Sequence, residues 1–421
     1  MNPEHDPQGA TGAGPLAGLR VLDLGTRVAA PFCAGLLGEM GADVIKIEQP
    51  GTGDFMRGIG PFVDSTEGDY SLFWAVEGRG RRSVALDLRH AEGQAVFRQL
   101  ARQCDVVVEN FRPGTLERWN IGPASLADHL VVVRISAFGQ DGPNSQRPGL
   151  DRLGIGYGGL LSLTGEPDRP PVRPGVTVSD YLTGSFAAQA ATAALYRRDN
   201  RRTGTGTGAV VDACLYASVL RILEWTIAAY DRLGTVRERE GNRLGTSAPL
   251  DNYLCADGRY VCLVAGSDAN FTRLCNAMGR SDLLDDPRFT TLADRARHSD
   301  EINGIVADWA AQLTGAEVEH RAIEHDVPVA TAYSAADIAA DEHMADRGDL
   351  VSVDDPVAGP VRQQAPATRF VGESRPAPTG APRLGEHTLE VLTSIAGISN
   401  AEVSELLRAG TAQQWGPPDR P

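Results

Sequence analysis

The chain has 421 residues, of which 42% are hydrophobic, and this is enough to bury more than one core and predicts two domains. A formal net charge of −15 and a pI near 5.0 argue against nucleic acid or an anionic membrane as a partner. Lys46 is the only lysine, so any patch that holds an anionic ligand must be built mainly from arginine.

Cysteine usage and hydropathy restrict the compartment. The six cysteines form no CxxC pair and have no histidine at metal-ligand spacing, so we expect them to be reduced and mostly buried. No run approaches the roughly 18 apolar residues that a membrane span needs. Residues 1–14 are polar and rich in glycine and proline, which predicts a disordered arm rather than a signal peptide. These features predict a cytoplasmic protein without a metal site.

Residues 19–48 predict a βαβ unit. LRVLDLG is apolar and β-prone, AGLLGEMGA has the small residues of a packed helix, and DVIKIE predicts a second buried strand. Glu48 stands where a dinucleotide-binding fold places its ribose-binding acid. However, the turn after the first strand is LGTRVAAP rather than GxGxxG, so binding of NAD or FAD is disfavoured.

The same alternation of strands and helices continues toward residue 140. It predicts a parallel, Rossmann-like sheet covered by helices, with ligands at the carboxyl ends of the strands. The loop after Glu48 belongs to that edge, as do ENFRPG (109–114) and AFGQDGP (137–143). The contributing segments are the strands SVALDL (83–88), DVVVEN (105–110) and VVVRISAFG (131–139), and a helix over 92–104.

Asp180 is the candidate catalytic nucleophile. It lies at the start of a long helix of small residues within PVRPGVTVSDYLTGSFAAQAATAAL, 171–195. A helix N-terminus favours the ionised form of a carboxylate, which is nucleophilic at neutral pH without a base. The alternative is that Ser179 or Asp180 only caps the helix.

The second half of the chain predicts a smaller domain. RRTGTGTG (201–208) is a turn, and a long helix is predicted over residues 210–230. Strand signals then flank a hairpin turn at Asp257-Gly258, and helices are predicted around 270–278, 300–326 and 388–408. The predicted domain boundaries are 15–225 for the large α/β domain, 226–248 for a linker, 249–345 for a smaller α+β domain, and 346–421 for a linker and C-terminal segment.

Several segments together resemble the class III CoA-transferases, the family of formyl-CoA transferase and carnitine CoA-transferase. The resemblance runs from about Pro15 to Gly410, and the set is more specific than any single motif. Besides the Asp180 segment, it includes PLAGLRVLDLGTRVAAPFCAGLLGEMGADVIKIEQPGTGD (15–54), RRSVALDL (81–88), VVVENFRPGTLERW (106–119), ISAFGQDGP (135–143) and APRLGEHT (381–388).

This resemblance implies an enzyme that moves CoA from an acyl-CoA donor to a carboxylic acid acceptor, with Asp180 forming anhydride and thioester intermediates. It implies coenzyme A as a substrate rather than a tightly bound cofactor. It also implies that the C-terminal segment returns to the large domain, and that two chains interlock as a homodimer.

The resemblance also implies residues that contact CoA. The family positions fall on Ala29, Asn110, Phe111 and Arg118, and on Arg81 in the RGRRS cluster. For Arg118, a helix-surface ion pair with Glu117 or with a neighbouring turn is the structural alternative. Some segments depart from the family pattern and leave the geometry of CoA binding open: Gly78-Arg79-Gly80-Arg81-Arg82-Ser83 lacks asparagines and a lysine, Thr203-Gly204-Thr205-Gly206 replaces a Thr-Gly-Arg-Gly turn, and GNRLGTSAP (241–249) lacks a four-glycine run.

Two other functions are compatible with the same scaffold. An α-methylacyl-CoA racemase shares the scaffold but needs a histidine where this chain has Leu150, which can neither donate nor accept a proton. A non-catalytic acyl-CoA-binding protein is disfavoured because the whole setting of Asp180 is retained. Arg27, Arg57 and Asn242 are candidates for binding a second carboxylate, which would favour a dicarboxylic acid such as succinate; solvent-facing or interface positions are the alternative.

Overall fold

The computed structural model describes residues 14–373 and 378–416. The predicted disordered arm, residues 1–14, lies outside this range apart from Gly14. Within the described residues, no helix is both long and apolar enough to cross a membrane.

The chain divides into two compact units. The first contains the described residues up to Leu160, Pro174–Glu224 and those from Ala345 onward. The second contains Leu161–Arg173 and Trp225–Met344. The second unit therefore includes a short segment that the sequence prediction assigned to the large domain, and also the stretch that it assigned to a linker.

Fourteen strands and sixteen helices occur in the described residues. The strands are β1 (Arg20–Asp23), β2 (Asp43–Glu48), β3 (Phe62–Ser65), β4 (Gly68–Ser71), β5 (Arg81–Leu86), β6 (Val106–Glu109), β7 (Val131–Ser136), β8 (Ala209–Cys214), β9 (Leu250–Leu254), β10 (Tyr260–Val264), β11 (Val329–Thr331), β12 (Leu350–Asp355), β13 (Gly359–Gln364) and β14 (Ala412–Gln413). The helices are α1 (Ala29–Glu39), α2 (Leu72–Glu77), α3 (Ala91–Ala101), α4 (Thr115–Arg118), α5 (Asp151–Tyr157), α6 (Val178–Asp199), α7 (Leu215–Arg221), α8 (Thr226–Leu233), α9 (Asp268–Met278), α10 (Leu292–Arg297), α11 (Ser299–Ala310), α12 (Gly315–Glu324), α13 (Ala335–Ala340), α14 (Glu342–Arg347), α15 (Thr388–Ser394) and α16 (Asn400–Ala409).

A seven-stranded sheet organises the first unit, in the order β14-β5-β2-β1-β6-β7-β8. All neighbours are parallel except β14, which pairs antiparallel with β5. Alternate residues of each strand face opposite sides: Val21 packs with α1 and α6, whereas Leu22 packs with α3, α15 and α16. The predicted α/β fold with a mostly parallel sheet covered by helices is confirmed.

The order of the sheet locates a crevice. Strands β2 and β5 follow on one side of β1, whereas β6, β7 and β8 follow on the other. The loops after β1 and β6 therefore diverge at the carboxyl edge, which is where ligands bind in open α/β sheets.

The second unit has its own core. Strands β9, β10 and β11 form an antiparallel sheet, and their buried face packs on α9, α11 and α12 around Val261, Leu274 and Val306. The predicted hairpin is present, because β9 and β10 pair across Asp257 and Gly258.

Several predicted helices are wrong in extent. The predicted helix over 210–230 is strand β8 followed by α7 and α8, because its first residues pair with β7 at the edge of the sheet. The predicted helix over 388–408 is α15 and α16, with Gly397 at φ +71° between them. The predicted helix over 300–326 is α11 and α12, and Thr314 begins the second helix with a capping box.

Candidate active site

Asp180 is the third residue of α6, and its carboxylate is not used as a helix cap. The N-cap is Thr177, which makes no side-chain capping hydrogen bond. Ser179 instead ties the helix start to α5: its N–H and hydroxyl donate to Asp151 Oδ1 at 2.8 and 2.9 Å. The capping alternative is therefore disfavoured, and the Asp180 carboxylate is left available for chemistry.

The electrostatic environment of Asp180 differs from the expectation. Burial, followed by the nearby Asp151 carboxylate, raises the pKa of Asp180 from 3.8 to about 7, and Arg27 opposes this rise. The helix N-terminus, which we expected to favour the ionised form of Asp180, is therefore outweighed by desolvation and a like charge. A carboxylate with a pKa near 7 combines a substantial ionised fraction at neutral pH with increased basicity.

The start of α1 lies against α6 close to Asp180. A Cβ added to Gly184, one turn after Asp180, would lie 2.8 Å from the carbonyl oxygen of Ala29. The ring of Phe32 meets that of Tyr181 edge to face, with centroids 4.8 Å apart. The small residues of α6 therefore permit a close helix contact, which brings buried Ala29 and the β1–α1 loop toward the start of α6.

Asn110 fastens this loop across the crevice of the sheet. Its amide accepts from the Thr26 N–H at 2.9 Å and donates to the Thr26 carbonyl at 2.8 Å. Through these two hydrogen bonds, Asn110 positions the loop after β1.

A buried charge network lies beneath the same loop. Lys46 is fully buried, with Nζ 2.9 Å from Asp54 Oδ2 and 3.3 Å from Asp23 Oδ2. Asp54 Oδ1 accepts from the Arg27 N–H at 3.2 Å and from the Met56 N–H at 2.9 Å. Burial acts to raise the pKa of Asp54, but the Lys46 ammonium and the hydrogen bonds from Met56 and Arg27 together outweigh burial and hold this pKa below its ordinary value. Sequence reasoning missed Asp54, although its position after a Gly-rich turn, GTGD, was a usable signal.

A cleft of about 200 Å³ opens at the carboxyl edge of β1, β2 and β5. Thr26, Gln49, Arg89, Phe111 and Trp119 are among its lining residues. The rings of Phe111 and Trp119 pack edge to face at 5.1 Å, which gives the cleft an aromatic wall. Arg89 supplies a largely exposed guanidinium that also binds Asp87. Sequence reasoning identified Phe111 but missed Arg89 and Trp119.

The remaining predicted CoA residues differ in exposure. Arg118 is exposed on α4 and donates to Thr115 Oγ1 at 2.9 Å. The alternative of a Glu117 ion pair is disfavoured, because Arg134 Nη1 binds that carboxylate at 2.7 Å. Arg81 is only 5% exposed. Its guanidinium donates to the carbonyls of Pro31 and Glu77 and faces Asp23, so this geometry does not favour contact with CoA phosphates.

The three candidates for a second carboxylate site differ in their contacts and in the unit that contains them. Arg57 is committed to Glu48, with Nε and Nη2 at 2.8 and 2.7 Å from the two carboxylate oxygens, and it stacks on Trp74. Asn242 belongs to the second unit. Arg27 stacks on the Phe55 ring at 3.9 Å and is the basic group that influences the pKa of Asp180.

Leu150 lies at the start of α5, where the racemase alternative needs a histidine. Its side chain is largely exposed, and Asp151 follows it into the helix. The position next to the Asp180 environment therefore holds an apolar side chain, and the proton-transfer partner that a racemase needs there is missing.

Comparison with known proteins identifies the family. The family model described as CoA-transferase family III matches residues 16–388. Succinyl-CoA–D-citramalate CoA-transferase of Chloroflexus aurantiacus is 38% identical, covering 93% of this chain and 96% of that protein. Succinyl-CoA:mesaconate CoA-transferase of Haloarcula hispanica is 36% identical, covering 90% and 96%. Succinyl-CoA:glutarate CoA-transferase of Mus musculus is 31% identical, covering 95% and 91%.

A solved structure has the same fold. A CaiB/BaiF family protein from Brucella suis superposes with a TM-score of 0.81 at 30% identity, covering 91% of this chain and all of that one. Family match, relatives and fold thus agree over almost the whole chain. The chain belongs to CoA-transferase family III and is an enzyme that transfers CoA.

Proposed function

We propose that the protein transfers CoA from succinyl-CoA to a second dicarboxylic acid through covalent intermediates on Asp180. The observation that carries the proposal is the Asp180 carboxylate itself: it is partly buried on α6, is not used as a cap, and faces the positive charge of Arg27. The donor and the acceptor class come from the names of the relatives, which pair succinyl-CoA with citramalate, mesaconate and glutarate.

The reaction requires four exchanges at carbonyl carbons. An Asp180 oxygen attacks the succinyl thioester carbon, the C–S bond breaks, and CoA leaves as the thiolate. The thiolate then attacks the Asp180 carbonyl of the mixed anhydride, which releases succinate and leaves an aspartyl-CoA thioester. The acceptor carboxylate attacks that thioester and again releases thiolate, which attacks the acceptor carbonyl and restores the Asp180 carboxylate.

The sheet edge supplies a place for CoA. The cleft lined by Phe111 and Trp119 offers an aromatic wall for the adenine ring, and the guanidinium groups of Arg89 and Arg118 suit its phosphates. Ala29 begins the helix that joins this cleft to the nucleophile. Arg81 is not included, because its guanidinium is buried among protein acceptors.

Trapping the intermediate tests this mechanism. After incubation with succinyl-CoA, borohydride reduces an aspartyl thioester to an alcohol, and peptide mapping then identifies the residue. We expect the label at Asp180 in the wild type, none in Asp180→Asn, and a rate loss of at least about a thousandfold in that variant. Asp128→Asn is the control, since Asp128 is exposed in the same unit.

Either of two results would contradict the mechanism: full turnover by Asp180→Asn, or a label at another residue. Deuterium washing into the α-position of a branched acyl-CoA, without any label at Asp180, would support the racemase alternative instead. The interlocked homodimer and the cytoplasmic location stay predictions that rest on the resemblance and on the composition.

A further inference from the structure

Arg27 has an unusual backbone. Its φ is +68°, in the left-handed region that residues with a Cβ seldom adopt. Such a conformation is costly and persists only where the surrounding structure imposes it. The loop after β1 therefore holds this arginine in a strained backbone conformation.

The surrounding contacts show what imposes the conformation. The Arg27 N–H donates to Asp54 Oδ1, which also accepts from the Thr26 hydroxyl at 3.3 Å. Lys46 holds the other oxygen of Asp54 from below, and Asn110 binds both backbone groups of Thr26. Because Asp54 and Lys46 are buried and charged, the loop that they hold has little freedom to relax.

The Arg27 side chain is held by an aromatic ring and not by an acid. Its guanidinium carbon lies 3.9 Å from the Phe55 centroid. Among the described residues, no carboxylate lies within ion-pair distance of this guanidinium, in contrast to Arg57 with Glu48 and Arg81 with Asp23. Stacking fixes the plane of the guanidinium and leaves its edge donors for another partner.

The position of Arg27 relative to the nucleophile follows from the contact between α1 and α6. Arg27 is two residues before Ala29, whose carbonyl touches Gly184, and Asp180 is one turn before Gly184. A substrate whose thioester carbon meets Asp180 thus has a guanidinium in its immediate surroundings. In a succinyl group, a second carboxylate lies two methylenes from that carbon.

We propose that Arg27 binds the distal carboxylate of the dicarboxylic substrate and so selects succinyl over uncharged acyl groups. The inference rests on the proposed function and adds the residue that determines the substrate class. An arginine fork pairs with a carboxylate through two parallel hydrogen bonds. A monocarboxylic acyl group leaves the desolvated guanidinium without that partner, so the site rejects it.

The test compares two acyl-CoAs of the same length. Succinyl-CoA ends in a carboxylate where butyryl-CoA ends in a methyl group, so the ratio of their kcat/KM values isolates the distal carboxylate. We expect Arg27→Met to lower kcat/KM for succinyl-CoA by about tenfold to a hundredfold. The same variant should leave kcat/KM for butyryl-CoA unchanged or higher, because the unpaired guanidinium no longer opposes its binding. Met replaces the guanidinium by the end of an unbranched apolar chain and carries the same backbone cost at this φ.

Two further variants sharpen the comparison. Arg27→Lys keeps the charge but loses the planar fork, and we expect an intermediate ratio. Arg288→Met is the control: Arg288 also stacks on a phenylalanine, at 4.9 Å from the Phe289 centroid, but its charge is already paired with Asp286. We expect this control to leave the ratio unchanged.

The outcomes separate this inference from the proposed function. An equal fall for both acyl-CoAs in Arg27→Met would mean that Arg27 only stabilises the Asp180 anion, and it would overturn the inference. An unchanged ratio would do the same. The proposed function is tested by wild-type labelling at Asp180 with succinyl-CoA, which does not depend on any Arg27 variant.

Discussion

The raised pKa of Asp180 predicts that this carboxylate destabilises the fold at neutral and alkaline pH. Burial raises this pKa from 3.8 to about 7, so the folded chain holds the proton more tightly than the unfolded chain does. Between these two values the free energy of unfolding falls as the pH rises, and above pH 7 the whole cost is present. Asp180→Asn removes the titration while keeping the shape of the side chain.

The magnitude follows from the pKa. Each pH unit between pH 5 and pH 7 costs about 1.4 kcal/mol, so from pH 5 to pH 8 the variant gains about 2 to 3 kcal/mol relative to the wild type. For a chain of 421 residues, an unfolding entropy of about 2.1 cal/mol/K per residue converts this to about 3 °C in Tm. Comparing two pH values cancels any effect of Asp→Asn that does not depend on titration.

Thermal unfolding followed by circular dichroism, at pH 5 and pH 8, measures this gain. We expect the Tm of Asp180→Asn minus that of the wild type to be higher at pH 8 than at pH 5. Asp128→Asn should show the same difference from the wild type at both pH values, since Asp128 is exposed. If the Asp180→Asn difference is also the same at both, Asp180 is ionised throughout, and the reasoning from burial and Asp151 is refuted.

Two further predictions concern the supports of the site. Gly184→Ala places a Cβ 2.8 Å from the Ala29 carbonyl oxygen, so urea unfolding should show a free energy of unfolding lower by about 1 to 3 kcal/mol, together with slower CoA transfer. Gly304→Ala is the control, because its Cβ in α11 meets nothing within 4 Å and the substitution should be neutral or stabilising. Equal effects of the two substitutions would contradict the packing argument. Lys46→Met leaves Asp54 buried without its cation and leaves Asp23 with Arg81 alone, so the free energy of unfolding should fall by about 3 to 5 kcal/mol. Wild-type stability in this variant would disprove the network.

The parallel sheet could be predicted because its strands carry their own signal. Strands β6 and β7 each begin with three consecutive valines, as expected of strands buried on both faces, and turn residues bound them. The segment 210–230 could not be assigned this way. Its strand β8 lies at the edge of the sheet with alternating exposure, and only its pairing with β7 distinguishes it from a helical start.

The roles of the arginines depend on contacts that sequence spacing does not contain. Arg57 and Glu48 are nine residues apart, but Arg57 also donates to the Pro382 carbonyl, 325 residues away. Arg81 binds the Pro31 carbonyl, 50 residues away. Motif matching predicted both arginines near the substrate, but in the structure both guanidinium groups bind acceptors of the protein itself.

Arg27 differs from the neighbouring cations, which pair with carboxylates of the protein. In a chain with a net charge of −15 and only one lysine, acidic partners for an arginine are plentiful. Lys46, Arg57 and Arg81, close to the same loop, each have one. Arg27 instead stacks on Phe55, on a backbone that Asp54 holds in a costly conformation. A guanidinium kept from protein acids beside a nucleophile is what a substrate bearing a second carboxylate requires.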